Sequence, residues 1–331
     1  MAALAPTAVP VALDRVERLD LAAPDGPRNV DVGDLSWTTL QELHGAFGRT
    51  RLAGTPDRDF VDMFTFAGGP VSVIGLPVFV QIDDPGPGDA LRLDGRHGDD
   101  QLSGSSFPAG GMRLTIDGGD GGDVIIGGSG DDVLLGGDEF DDVTPNNGDD
   151  FVDLGGDNNR SSWKPGDGND HVVGRGGRDS LFFLGSADAE RFELARDGSG
   201  VRLRRDVGAI EMTLEGIDEI DTLALGGPDT FSVGDLTGSG VDLVDVSLAP
   251  SFGSPGGDGQ ADRVQVAGTD RADAITVAGS LTTARLTGLS AAVNISHAEG
   301  ALDTLAVDTR GGDDTVDSSG LAPGVIGLSV E

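Results

Sequence analysis

Between residues 118 and 150 an aspartate recurs every ninth position, at Asp123, Asp132, Asp141 and Asp150. The first three each sit in a glycine-rich loop, and the three loops read GGDGGDVII, GGSGDDVLL and GGDEFDDVT. Two places beyond each aspartate stands an apolar residue: Ile125, Leu134, Val143 and Val152. The chemistry such a pattern supports is coordination of a cation. Paired glycines reach backbone angles with positive φ at little cost. With so little side chain, loop carbonyls can turn inward as ligands. Hard cations such as Ca2+ take six to eight oxygens, mixing carboxylates with backbone carbonyls.

The elements that must hold these loops follow from the single apolar step between them. A three-residue step is too short for an ordinary strand. Stacked on identical steps, it buries one apolar side chain per repeat and builds a solenoid. Two nonapeptides make one coil, so side chains 18 residues apart stack on one edge, about 4.8 Å from their neighbours. Two bare carboxylates at that spacing repel by about 3 kcal/mol at an effective dielectric near 20. A few such pairs are comparable to the whole stability of a small domain. The loops are therefore expected to order when a cation binds.

The run resembles the hemolysin-type (RTX) calcium-binding repeat, GGxGxDxUx, whose fold is a parallel β-roll. Residues 118–135 match it at every defining position, and the looser resemblance extends over about 118–186. The resemblance implies one ion between each repeat and the repeat two further on. Carried over, one site would use the carbonyls of Gly119 and Gly121, Asp123, the carbonyls of Gly136 and Asp138, and Asp141. The next would use the carbonyls of Gly128 and Gly130, Asp132, the carbonyls of Pro145 and Asn147, and Asp150. The pattern then decays. Glu139 stands where the third loop should have glycine, and the fourth repeat, PNNGDDFVD, keeps one glycine and the aspartate. The fifth, LGGDNNRSS, places Asn159 in the aspartate position. Ser-Trp-Lys around Trp163 breaks the register by two residues, and the pattern resumes with Asp170 and Asp179. Two good ions followed by weaker sites are expected, with affinity falling toward the C-terminal side.

Composition bounds the remaining classes. The chain has 331 residues, a net charge of −35, 55 glycines and no cysteine. That length suits two or three domains or one elongated array. The acidity argues against nucleic acid and anionic membrane surfaces, both of which need Lys/Arg patches. The lack of cysteine removes disulfides and thiolate metal sites, and fits an exported protein that uses ions instead. No stretch approaches the roughly 18 apolar residues of a membrane span. The N-terminal MAALAPTAVPVALDRVE lacks a basic region and does not read as a signal peptide. No nucleophile elbow, His-Glu-x-x-His motif or EF-hand loop occurs; His44, His97, His171 and His297 are far apart. His171 reads as a solvated strand position and Trp163 as a cover over the register break.

A longer repeat relates the two ends. LRLDGRHGDDQLSGSSFPAGGMRLTI, ending at Ile116, aligns with LAVDTRGGDDTVDSSGLAPGVIGLSV, ending at Val330. Residues 11–116 read as a copy of 212–330 lacking one loop. Three segments result: an N-terminal β flank (1–116), a calcium-binding roll (117–186) and a C-terminal β flank (187–331). The expected fold is all-β and elongated, a parallel β-roll flanked by β-solenoid or β-sandwich segments. A hairpin is expected at Asp197-Gly198. Trp37 to Phe47, with Leu40, Leu43 and Phe47 at helical spacing, is the one helix candidate. The isolated loops at Asp100 and Asp314 read as Gly-Asp turns that bind nothing. At the same offset Glu331 matches Asp117, so any continuation would open with another glycine-glycine loop.

These readings point to a noncatalytic, secreted, calcium-binding protein in which folding of the roll is coupled to Ca2+. A structural or adhesive role would bring it against extracellular matrix or cell-surface polysaccharide. The export expectation rests on the family resemblance. Two other readings stand beside it: an accessory segment of a larger secreted hydrolase or toxin, and an enzyme built on the flank itself.

Overall fold

The computed structural model describes residues 17–21, 29–33, 35, 38, 40–66 and 69–331. Among these the chain is all strand and turn, without a helix. The strands form two sheets, of 16 and 14 strands, that run through the roll and both flanks alike. The chain passes from one sheet to the other and back, adding a parallel strand to each per coil. One hydrophobic core lies between them, from Val32 to Ile326. The flanks thus continue the same two parallel-rich sheets as residues 117–186, in a solenoid-like stack.

The nonapeptide steps build this directly. Ile125 pairs with Val143 in one sheet, while Ile116, Leu134 and Val152 follow one another in the other. All five side chains are buried in the shared core. Partners in this part are 18 residues apart, Val124 against Asp142 and Val133 against Phe151. Past Trp163 the coil lengthens by two, so that Phe151 pairs with His171 and Arg160 with Ser180. Trp163 covers this break: it is buried, stacks on Phe183 at 4.1 Å and donates its indole N–H to Gly168 O at 2.9 Å.

Three antiparallel meanders interrupt the parallel order. Phe60–Thr65, Val71–Ile74 and Phe79–Ile82 form the first, in the larger sheet. Arg191–Asp197, Gly200–Arg205 and Ile210–Glu215 form the second, in the smaller sheet, with the hairpin at Asp197-Gly198. Ala274–Ser280, Thr283–Thr287 and Ala292–Ser296 form the third, again in the larger sheet. In the second, the last strand pairs back to His171–Gly174 and the first pairs onward to Thr230–Val233. The stack therefore continues through each insertion. The first and third meanders begin at Phe60 and Ala274, 214 residues apart, and the strands Arg49–Ala53 and Arg263–Ala267 keep the same spacing.

The helix expected over Trp37 to Phe47 is not formed. Glu42–Gly45 is a strand, paired in parallel with Phe79–Ile82, and Trp37 lies outside the described residues. Leu40, Leu43 and Phe47 are all buried, because a chain turning through solenoid corners brings residues three or four apart to the same core. Among the described residues no helix is long and apolar enough to cross a membrane.

Candidate metal centre

The aspartates that precede the strands stack into ladders along the solenoid edge. Each uses one carboxylate oxygen to accept the backbone N–H of its counterpart one coil back. Asp123 N–H donates to Asp141 Oδ1 at 2.9 Å, Asp141 N–H to Asn159 Oδ1 at 2.8 Å, and Asn159 N–H to Asp179 Oδ1 at 2.9 Å. On the opposite edge Asp132 N–H reaches Asp150 Oδ1 at 2.7 Å and Asp150 N–H reaches Asp170 Oδ1 at 3.0 Å. Every one of these side chains is buried.

The second oxygen is the feature that calls for chemistry. Oδ2 of Asp123, Asp141, Asp150 and Asp170 is buried and has no hydrogen-bond partner. A buried, ionised oxygen without a partner is among the costliest groups a fold can hold. Burial accordingly pushes these carboxyls up, Asp123 to about 6, Asp141 and Asp170 to about 7 and Asp150 to about 8; neighbouring carboxylates push the same way and the ladder N–H opposes them. The charges that act most on them are all acidic. Arginines that bridge coils, Arg160 to Asp142 and Arg175 to Asp153, lie on the outer faces instead.

Glycine is needed because the coils approach backbone to backbone. A Cβ on Gly118 would come closer than 3.0 Å to both Asp123 Oδ2 and the Gly136 carbonyl oxygen. The same pair of oxygens crowds Gly95 (Asp100 and Gly118), Gly136 (Asp141 and Leu154) and Gly174 (Asp179 and Gly216). At Gly95, Gly118 and Gly136 a carboxylate oxygen without a hydrogen-bond partner and a carbonyl oxygen thus face one small space. A proton on the carboxyl, a bridging water or a cation would each reconcile the two.

The residues expected as ligands are distributed as follows. Asp123 and the Gly136 carbonyl meet over Gly118, and Asp141 is tied to Asp123 through the ladder. Asp132 Oδ2 and the Pro145 carbonyl both face Gly127, and Asp150 follows by the ladder. Asp132 differs from its neighbours, since its Oδ2 already accepts Gly128 N–H at 2.6 Å; its carboxyl is still raised to about 6, mainly by burial. The carbonyls of Gly119 and Gly130 point along the stack, beneath Gly137 and Gly148. Gly121 N–H donates to the Asp138 carbonyl at 3.2 Å, which occupies part of that expected ligand. Asn147 is exposed. Asp179 is raised to about 6 by burial and belongs to the first ladder. The position of Glu139, where glycine was missed, has φ of 77°, a left-handed conformation that non-glycine residues adopt at a cost. His171 lies on the outer face, 3.3 Å from Glu215.

Sequence reasoning missed several rungs. The loop at Asp100 is not isolated: Asp59 N–H donates to Asp100 Oδ1 at 2.7 Å and Asp100 N–H to Asp123 Oδ1 at 2.8 Å. Asp100 Oδ2 is also buried without a partner, and burial raises the carboxyl to about 7. Asp314 receives Asp273 N–H at 2.9 Å. Glu190, Asp229, Asp262 and Asp303 form a further ladder in the C-terminal flank. A glycine five residues before the acid marks Asp59, Asp100, Glu190, Asp262 and Asp273, and would have found them. Glu219, Asp221 and Asp245 bring three carboxylate oxygens within 4.8 Å of one another on partly exposed strands. There Arg178 lies 3.1 Å from Glu219, so this cluster carries a counter-charge that the roll ladders lack.

No family model, no curated protein and no solved structure matches this chain.

Proposed function

We propose that the chain is a noncatalytic calcium-binding protein of the extracellular space, structural or adhesive in role, whose roll folds with Ca2+. The observation that carries this reading is the row of buried, partnerless carboxylate oxygens at Asp123, Asp141, Asp150 and Asp170 in a chain of net charge −35. The resemblance of 118–135 to the RTX repeat supports the choice of ion. Oxygen-only donors in a flexible loop suit Ca2+ better than Mg2+, which demands a near-ideal octahedron.

Binding energy in such loops is folding energy, because no preformed site survives when the coil opens. Each site filled at tenfold its Kd adds about 1.4 kcal/mol. Extracellular calcium modules work with Kd of about 10⁻⁴–10⁻³ M. Sites of that strength fill outside the cell and stay empty at cytosolic Ca2+, in keeping with the extracellular location that the RTX resemblance implies. Extracellular matrix or cell-surface polysaccharide is the partner class that such a structural or adhesive role implies.

A calcium titration at pH 8 followed by circular dichroism tests the reading. The β signal should rise as Ca2+ is added and fall with EDTA. Identical spectra in EDTA and in excess Ca2+ would sink it.

A further inference from the structure

The loop present in the second flank copy and absent from the first carries an exposed aromatic ring. The first copy passes from Glu42–Gly45 to Arg49–Ala53 through Ala46, Phe47 and Gly48. The second passes from Leu243–Ser247 to Arg263–Ala267 through the longer loop 248–262. That loop holds Phe252, which is 70% exposed. Its ring lies against Phe182, with centroids 5.3 Å apart and planes tilted by 32°. Phe182 stands between the buried Leu181 and Phe183 in the strand Ser180–Ser186, so it points out of the core.

Phe252 and Phe182 line a groove of about 380 Å³ together with Leu184 and Trp163. That volume falls within the range of about 300–1,000 Å³ in which small-molecule sites occur. Thr144 and Ser162 also line it, and among the described residues neither hydroxyl has a hydrogen-bond partner. The charged groups of the groove are already matched. Arg160 pairs with Asp142, and Lys164 Nζ lies 3.2 Å from the buried Asp167 and 2.8 Å from Asn146 Oδ1. Further along the same sheet face, Phe182 is the register partner of Asp221, which gathers with Glu219 and Asp245.

We propose that this groove binds a neutral polysaccharide, one sugar ring lying against Phe252 and Phe182 and its hydroxyls reaching Thr144, Ser162 and Lys164. The inference rests on the adhesive reading above and gives it a site and a ligand class. A sugar ring has an apolar C–H face and an edge of hydroxyls that both donate and accept. The groove offers the complement: aromatic and aliphatic carbon beside two unpartnered hydroxyls and a lysine ammonium that donates. Acidic chains are disfavoured, because no cation in the groove is unpaired and the three acids beside Phe182 repel them.

Isothermal titration calorimetry of the full chain in Ca2+ at pH 8 tests this with hexaoses of glucose, mannose, galactose and xylose, and with oligogalacturonate as the acidic probe. At least one neutral hexaose should bind with a Kd below about 1 mM. Phe252→Ala, at an exposed loop position, should weaken that binding about tenfold. Phe66→Ala removes a similarly exposed ring from the first copy and should leave binding unchanged. Equal losses in both variants, or no loss in Phe252→Ala, would put sugar binding elsewhere and overturn the site while the adhesive reading stood. Oligogalacturonate binding tighter than every neutral hexaose would overturn it as well. A chain whose β signal responds to Ca2+ but which binds no hexaose overturns the site and the polysaccharide partner, and leaves the calcium reading intact. Hexaose binding of equal strength in EDTA, with an unmoved β signal, keeps the site and counts against the calcium reading instead.

Discussion

Two buried carboxylates, each just before a solenoid strand, are treated in opposite ways. Glu190 is fully buried and meets Arg205, itself buried and placed 5.7 Å from the Trp163 ring centroid. Asp141 is equally buried, one of its oxygens has no partner, and no base is near. Glu190 carries its counter-charge in the chain, while only acidic groups are among the charges that act most on Asp141. Asn159 supplies an internal control in the same ladder as Asp141. Its Oδ1 keeps the rung, and its Nδ2 donates to Gly156 O at 2.6 Å, so the rung stands without charge. The ladder hydrogen bond therefore needs only an oxygen; under the proposed function the second oxygen of each aspartate is the one that would take the cation.

The largest test removes the counter-charge that the chain supplies. Arg205→Met strands Glu190 in the core and should cost about 3–5 kcal/mol in denaturant unfolding. Ca2+ should not restore the loss. Full restoration by Ca2+ would mean that the two corners are interchangeable.

The acidic side of the comparison can be probed through pH. The roll carboxyls lie at about 6 to about 8 in the fold, above the unfolded value near 4. Their protonation therefore stabilises the ion-free chain fully at acid pH, and that stability is lost as pH rises through about 6 to 8. In EDTA the Tm should fall from pH 5 to pH 8. In saturating Ca2+ the decline should flatten or reverse, because protons compete with the ion. A pH profile unaffected by Ca2+ would break the link between orphan oxygen and cation.

A smaller change separates charge from hydrogen bond. Asp141→Asn imitates Asn159 and preserves the acceptor for Asp123 N–H. In EDTA at pH 8 it should stabilise the chain by about 1–3 kcal/mol, having removed a buried unpaired charge. In Ca2+ it should destabilise, having removed a ligand. The same sign in both conditions would contradict the comparison. Least of all, Arg160→Ala breaks a pair with Asp142 on the outer face. It should cost at most about 1 kcal/mol, equally with and without Ca2+.

The roll was legible in the sequence because each of its coils carries its own markers. Gly118, Asp123 and Ile125 recur at a constant interval, and the two-residue shift at Trp163 was visible for the same reason. The flank ladders were hidden by variable coil length. Asp100 meets Asp123 across 23 residues, Asp229 meets Asp262 across 33, and Asp262 meets Asp303 across 41. Where a coil carries a meander or a long loop, no fixed period survives, although the glycine five residues before the acid often does. Leu40, Leu43 and Phe47 misled for a related reason: corner residues of a solenoid share one core without sharing a helix.

The central claim is tested most directly by counting bound ions in equilibrium dialysis of the full chain at pH 8. At millimolar free Ca2+, at least two ions per chain should be retained, and Asp141→Asn should lose one. Less than one ion per chain would contradict the account.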